Sequence, residues 1–133
     1  MKTKIFISCL AFCACCVAMT GELWAQRYKH WTYTVVDSDA PVGTYTSLAL
    51  DKQGHPKIAY CIVNNSNGGV KYAAYDGNSW VVTDVDNNTG FNASLALDSQ
   101  DRPHISYTAG PALLQLRYAN HDGARWDTKI LDD

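Results

Sequence analysis

The chain has 133 residues, with 11 basic and 13 acidic side chains, a formal net charge of −2 and 47% hydrophobic residues. That apolar content excludes a disordered polar chain, and the length suits a small folded domain. There is no basic stripe of the kind that tracks a phosphate backbone, which excludes nucleic acid as a partner.

The N-terminus, Met1-Lys2-Thr3-Lys4, is positively charged and runs into an apolar stretch from Ile5 to Met19. This is the layout of a signal peptide, and the apolar stretch is too short for a transmembrane span. Ala25, following Leu23 and Trp24, puts cleavage before Gln26 and domain 1–25 in the leader. The chain is therefore expected to be exported: extracellular, periplasmic or at the cell surface. A lipid anchor at Cys15 or Cys16 is the lesser alternative, because Phe12-Cys13-Ala14-Cys15 is a weak lipobox.

Without the leader, Cys61 is the only cysteine, which excludes an intramolecular disulfide. It sits in an apolar strand and reads as a buried thiol. The remaining nine basic and twelve acidic side chains give −3, and every acid is an aspartate, because Glu22 lies in the leader. Aspartate favours turns where glutamate favours helix, so many tight turns and little helix are expected.

Residues 26–42 hold one expected strand, Trp31 to Asp37, rich in β-branched and aromatic residues, and a polar turn ending at Pro41. The unit 43–89 follows. Its strands are expected at Thr46–Leu50, Pro56–Val63, Val70–Tyr75 and Trp80–Asp86. In the second of these, Ile58, Tyr60 and Ile62 share one face and Lys57, Ala59 and Cys61 the other. Between them lie the Asp51–Gly54 turn, with φ of Gly54 expected positive, a loop over Asn64–Gly69, and an Asp76-Gly77 hairpin turn.

The unit 90–133 repeats this order. Ser47-Leu48-Ala49-Leu50-Asp51 recurs letter for letter as Ser94-Leu95-Ala96-Leu97-Asp98, and Pro56, Ile58 and Tyr60 answer Pro103, Ile105 and Tyr107. Lys71-Tyr72-Ala73 matches Arg117-Tyr118-Ala119, Asp76-Gly77 matches Asp122-Gly123, and Trp80 matches Trp126, with an offset of 47 residues that falls to 46. Asp101 replaces Gly54, a position aspartate tolerates. The loop Ala109–Leu113 is more apolar than its counterpart and is expected to face a partner or an adjacent repeat.

Four short antiparallel strands repeated in tandem make one propeller blade per repeat. A β-sandwich gives no reason for such residue-level repetition, and a β-helix has shorter coils. The pattern resembles the tandem units of secreted bacterial β-propellers, with a repeat running from Ser47-Leu48-Ala49-Leu50-Asp51 through Tyr72-Ala73 and Asp76-Gly77 to Trp80, and is distantly similar to sialidase and lectin-type propellers. The resemblance implies an all-β fold of β-propeller blades, four-stranded antiparallel sheets in tandem, with the propeller incomplete. Closed rings need about 4–8 blades. The favoured expectation is a chain whose missing strands would follow Asp133, since Trp31 to Asp37 matches a fourth strand without its first three. The alternative is a two-blade subunit that forms a homo-oligomer.

Enzyme readings are weak. Carboxylate-pair chemistry normally draws on glutamate or a protonated aspartate at defined separation, and the resemblance to sialidases brings no glutamate, arginine cluster or Asp-box here. Asp51 and Asp98 head hairpin turns and read as structural. No catalytic residue is assigned. His30, His55, His104 and His121 are scattered and Asp98–Asp101 lacks a calcium-loop pattern, so no metal or other cofactor is expected.

Binding remains. Aromatic faces stack on sugar C–H faces while polar side chains take hydroxyls. The candidate ligand-binding set is Trp80, Trp126, Tyr75, Asp76, Asn120 and Asp122. The competing reading makes the two tryptophans packing residues between blades, with Tyr60, Tyr107, Tyr72 and Tyr118 in the core. The expected function is a secreted, non-catalytic propeller scaffold whose partner is a protein or a cell-surface glycan. A carbohydrate-binding lectin-like propeller comes second, and a fragment of a propeller glycoside hydrolase with its catalytic blades outside this chain third. The sequons beginning at Asn64, Asn87 and Asn92 read as turn asparagines.

Overall fold

The computed structural model describes residues 31–38, 42–62, 68–88, 90–110 and 115–132. The leader with Cys15 and Cys16, and most of the loops over 64–69 and 109–113, lie outside these residues. The chain divides into two compact units, Met1–Thr34 and Val35–Asp133. Of the first, residues 31–34 are described; they are exposed and belong to no strand.

The second unit is all strand and turn among its described residues. The strands are β1 (Val42–Leu50), β2 (Pro56–Ile62), β3 (Gly69–Tyr75), β4 (Trp80–Asp86), β5 (Gly90–Leu97), β6 (Pro103–Ala109), β7 (Gln115–His121) and β8 (Trp126–Asp132). They form two four-stranded antiparallel sheets with the orders β1-β2-β3-β4 and β5-β6-β7-β8. This is the propeller-blade arrangement, and the strand ends fall within a residue of expectation except in β1. That strand begins at Val42, four residues early, because a bulge around Tyr45 (φ 50) carries the ladder through an irregular stretch. Asn92 (φ 55) marks the corresponding irregularity in β5, which places the sequon asparagine inside a bulged strand and not a turn.

The segment expected as the outer strand of an incomplete blade pairs with no neighbour among the described residues. Residues 31–38 carry no strand despite their β-rich composition, and Trp31, Tyr33 and Val35 are 87%, 93% and 78% exposed. A strand is held by a ladder to a neighbour, and composition cannot supply the missing edge.

The turns follow the aspartates. Asp51 Oδ1 accepts the amides of Gln53 and His55 at 3.0 and 2.8 Å, and Asp98 Oδ1 accepts those of Gln100 and Arg102 at 2.7 and 2.9 Å. Gly54 and Asp101 both take positive φ, 82° and 60°, as the turn requires. The Asp76 and Asp122 hairpins are longer than a two-residue Asp-Gly turn. Each is closed by its carboxylate, Asp76 Oδ1 accepting the Asn78 and Ser79 amides at 2.7 Å.

The core is the seam between the sheets. Pairing puts Ala59 opposite Tyr72 and Cys61 opposite Val70, so these four share the face turned to the second sheet. From the other side come Ala93, Ile105, Tyr107, Ala109 and Ala119, and Ile105, Ala109 and Ala119 are wholly buried. Filling a site of this kind with a large apolar side chain is worth about 1.5–3 kcal/mol. The inner strands meet closely: the Leu95 amide donates to Ser47 Oγ at 3.0 Å. At one end the Lys52 amide donates to Asp101 Oδ1 at 3.2 Å. The outer strands part, leaving Val81 on β4 and Ile130 on β8 each 52% exposed. No helix among the described residues is long and apolar enough to cross a membrane.

Candidate functional site

The expected site residues separate into two groups, one on each sheet. Trp80 and Tyr75 are cross-strand partners on the face of the first sheet that turns away from the second. Their ring centroids lie 5.4 Å apart, and His55 meets Tyr75 edge-on at 6.0 Å. Lys57 Nζ donates to the Tyr75 carbonyl at 2.8 Å and pairs with Asp51 Oδ2 at 3.0 Å. Burial pushes the Asp51 carboxyl upward, but the His55 amide, Lys57 and the Gln53 amide outweigh it and hold the group below its ordinary value. Asp76 sits beside this cluster in the sequence, but its carboxylate is engaged by turn amides.

Trp126 occupies the seam. Its ring packs edge-to-face on Tyr72 of the first sheet at 5.3 Å, and its Nε1–H donates to Thr83 Oγ1 at 3.2 Å. His121, its cross-strand partner, closes a second side at 5.1 Å. Trp126 is only partly buried, because the outer strands part here. Burial, with the Asp51 carboxylate second, pushes the Tyr72 hydroxyl up to about 12, so it stays neutral at physiological pH. Thr128 lies two residues along β8 on the face of Trp126. The seam thus offers a partly exposed aromatic ring held by Tyr72, His121 and the Thr83 hydroxyl. Asn120 lies on the opposite face of the second sheet from Trp126, and Asp122 closes its hairpin through the Ala124 and Arg125 amides at 2.8 and 2.9 Å.

A second feature of the seam escaped the sequence reading. Asp86, at the end of β4, is 9% exposed. Its Oδ2 accepts from Tyr107 Oη at 2.7 Å and from Arg117 Nη1 at 2.9 Å, both on the second sheet. A register shift between Val70 and Lys71 sets Asp86 opposite Val70 and turns it toward the neighbouring sheet. Burial raises the Asp86 carboxyl, but the Asn88 amide, Tyr107 and Arg117 leave it below its ordinary value. The same arrangement stands on the far side of the first sheet. There Asp37 Oδ2 accepts from Tyr60 Oη at 2.6 Å and from Lys71 Nζ at 3.1 Å. The available signal was the recurrence of Asp at the close of each Trp-headed segment, Trp31 to Asp37, Trp80 to Asp86 and Trp126 to Asp132.

Cys61 is a free, fully buried thiol in the seam, and burial pushes its pKa up. Among the described residues no three His, Cys, Asp or Glu side chains gather as a metal site.

No protein-family model matches the chain, and no curated protein matches it. Among solved structures, the chain is similar in fold to a fucose lectin from Kordia zhangzhouensis, determined in complex with methyl-fucoside. The TM-score is 0.53 at 16% sequence identity, over 80% of this chain and 78% of that one.

Proposed function

We propose that the chain is an exported, non-catalytic recognition module that binds a carbohydrate in the open outer half of the seam between its sheets. The observation that carries this reading is Trp126: a partly exposed indole, fixed by Tyr72, His121 and the Thr83 hydroxyl. An aromatic platform with adjacent hydroxyl donors and acceptors is what a sugar's alternating C–H and O–H groups require. The non-catalytic part is supported by where the carboxylates go. Asp51, Asp76, Asp86, Asp98 and Asp122 are each tied to turn amides or cations.

The lectin that shares the fold was solved with methyl-fucoside, which makes that glycoside the first probe. Calorimetric titration of methyl-fucoside, and then of a broad monosaccharide panel, tests the reading. Saturable binding is expected, lost in Trp126→Ala and weakened in Thr83→Val. A silent panel, or binding indifferent to Trp126, would refute it. A protein-docking role is favoured by a separate observation, the exposed leucines of β1, Leu48 and Leu50, at 63% and 61%.

A further inference from the structure

Trp126 is set in place by a side chain that differs from its counterpart one repeat earlier. The cross-strand partner of Trp126 is His121, and that of Trp80 is Tyr75. Both partners fold back on the glycine of their own hairpin, but by opposite chemistry. Tyr75 Oη donates to the Gly77 carbonyl at 3.0 Å, whereas His121 Nδ1 accepts the Gly123 amide at 3.1 Å. A ring nitrogen that accepts carries no proton, so this tether requires the neutral tautomer with its proton on Nε2. Held this way, the imidazole meets the indole at 5.1 Å between centroids, with the two planes at 68°.

We infer that His121 is a positioning residue for Trp126: it holds the indole in its binding orientation only while the imidazole is neutral. With Trp126 as the binding platform proposed above, on which this rests, ligand affinity falls as pH drops through the range where imidazoles take up a proton, about pH 5–8. Protonation sets an N–H on Nδ1 against the Gly123 N–H, and the tether is lost. Asp122 then gives the imidazolium another partner. Its carboxylate stays charged, because the Ala124 and Arg125 amides hold it below its ordinary value.

The other charged and titratable groups nearby are already engaged. In the same hairpin Arg125 Nε lies 3.9 Å from Asp122 Oδ2, and in the β5–β6 turn Arg102 pairs with Asp98 at 2.6 Å. Across the seam, burial and then Asp51 push the Tyr72 hydroxyl up to about 12, and Lys57 is paired with Asp51 at 3.0 Å. Asp127 and Lys129 pair with each other on the opposite face of β8. His55 packs on Tyr75 and His104 on Tyr118, each away from the Trp126 ring. An exposed indole offers a cation little compensation.

Calorimetric titration of methyl-fucoside from pH 5 to 8 at constant ionic strength tests this, on the wild type and on His121→Tyr, which installs the tether of the first sheet. The wild-type dissociation constant should rise about tenfold per pH unit on the acid limb. His121→Tyr should bind without such a limb, since a phenol does not titrate in this range. The NMR resonance of the Trp126 indole N–H, assigned with Trp126→Phe, gives a readout that needs no ligand. It should shift across the same range in the wild type and stay still in His121→Tyr. Circular dichroism checks that both proteins remain folded. Binding that depends on Trp126 but is flat with pH, or the same acid limb in His121→Tyr, overturns the inference and leaves the platform standing. An affinity that rises in acid overturns it equally. If methyl-fucoside binds at no pH, the indole resonance decides alone: a shift upholds His121 as the positioning residue, and a stationary resonance overturns it.

Discussion

Tyr107 Oη donates to Asp86 Oδ2 at 2.7 Å, joining the second strand of one sheet to the end of the last strand of the other. Both groups are buried, and Arg117 completes the charge balance. Sheets that touch through small apolar residues can slide; a buried carboxylate held by two donors fixes their register. Removing one donor leaves the carboxylate partly satisfied, while removing the carboxylate strands both donors. Tyr107→Phe should therefore cost about 1–2 kcal/mol and Asp86→Ala about 3–5 kcal/mol. Urea unfolding checks this: the midpoint should fall with the slope unchanged.

Acid sensitivity follows from the same group. Asp86 titrates below its unfolded value, so its stabilisation is complete above the ordinary carboxylate range of about 4 and is lost as pH falls through the lower, folded pKa. Asp51 and Asp98 are shifted in the same direction. Stability should be flat near neutrality and drop steeply below about pH 4. Asp86→Asn should flatten part of that drop, which parallel urea melts across the acid range would show.

Gly90 is a steric test of how the sheets approach. Val70 Cγ2 stands where a side chain at position 90 would begin and leaves no room for a methyl group, so Gly90→Ala should destabilise by about 1–3 kcal/mol. Adding Val70→Ala should recover part of that loss although it removes core volume on its own. A double-mutant cycle in which the two effects simply add would argue against the contact.

Cys61 reports on opening of the seam. Being fully buried with a raised pKa, it should react with a thiol reagent only as fast as the sheets part. Its modification rate should rise in Tyr107→Phe. A rate matching that of a free thiol in the folded wild type would contradict the packing described.

The two tryptophan positions, Trp80 and Trp126, differ in what lies beside them. Trp126 is in a seam; Trp80, its repeat equivalent, is on an open face. Sugar binding should therefore be lost in Trp126→Ala and kept in Trp80→Ala. Calorimetry on the two variants checks this.

Much of the fold was legible in the residues. Period-two alternation placed Ala59 and Cys61 on one face of β2, the aspartates announced the turns, and recurrence of Ser47–Asp51 as Ser94–Asp98 gave the paired sheets. The segment Trp31–Asp37 carries no ladder here, because a strand needs a partner edge as well as β-branched residues. The aromatic candidates were named, but Trp126 and Trp80 could not be told apart from their surroundings in the chain.

What the sequence determined by itself was therefore local: strand lengths, turn chemistry, the parity of each face and the equivalence of positions one repeat apart. Those depend on residues a few positions away. Tertiary structure alone decided which face meets the other sheet, which tryptophan is enclosed, and that Asp86 reaches across to Tyr107 and Arg117. The reason is geometric: alternation distinguishes two faces without naming their neighbours, and it takes a bulge at the end of β4 to turn that carboxylate from its own sheet to the next.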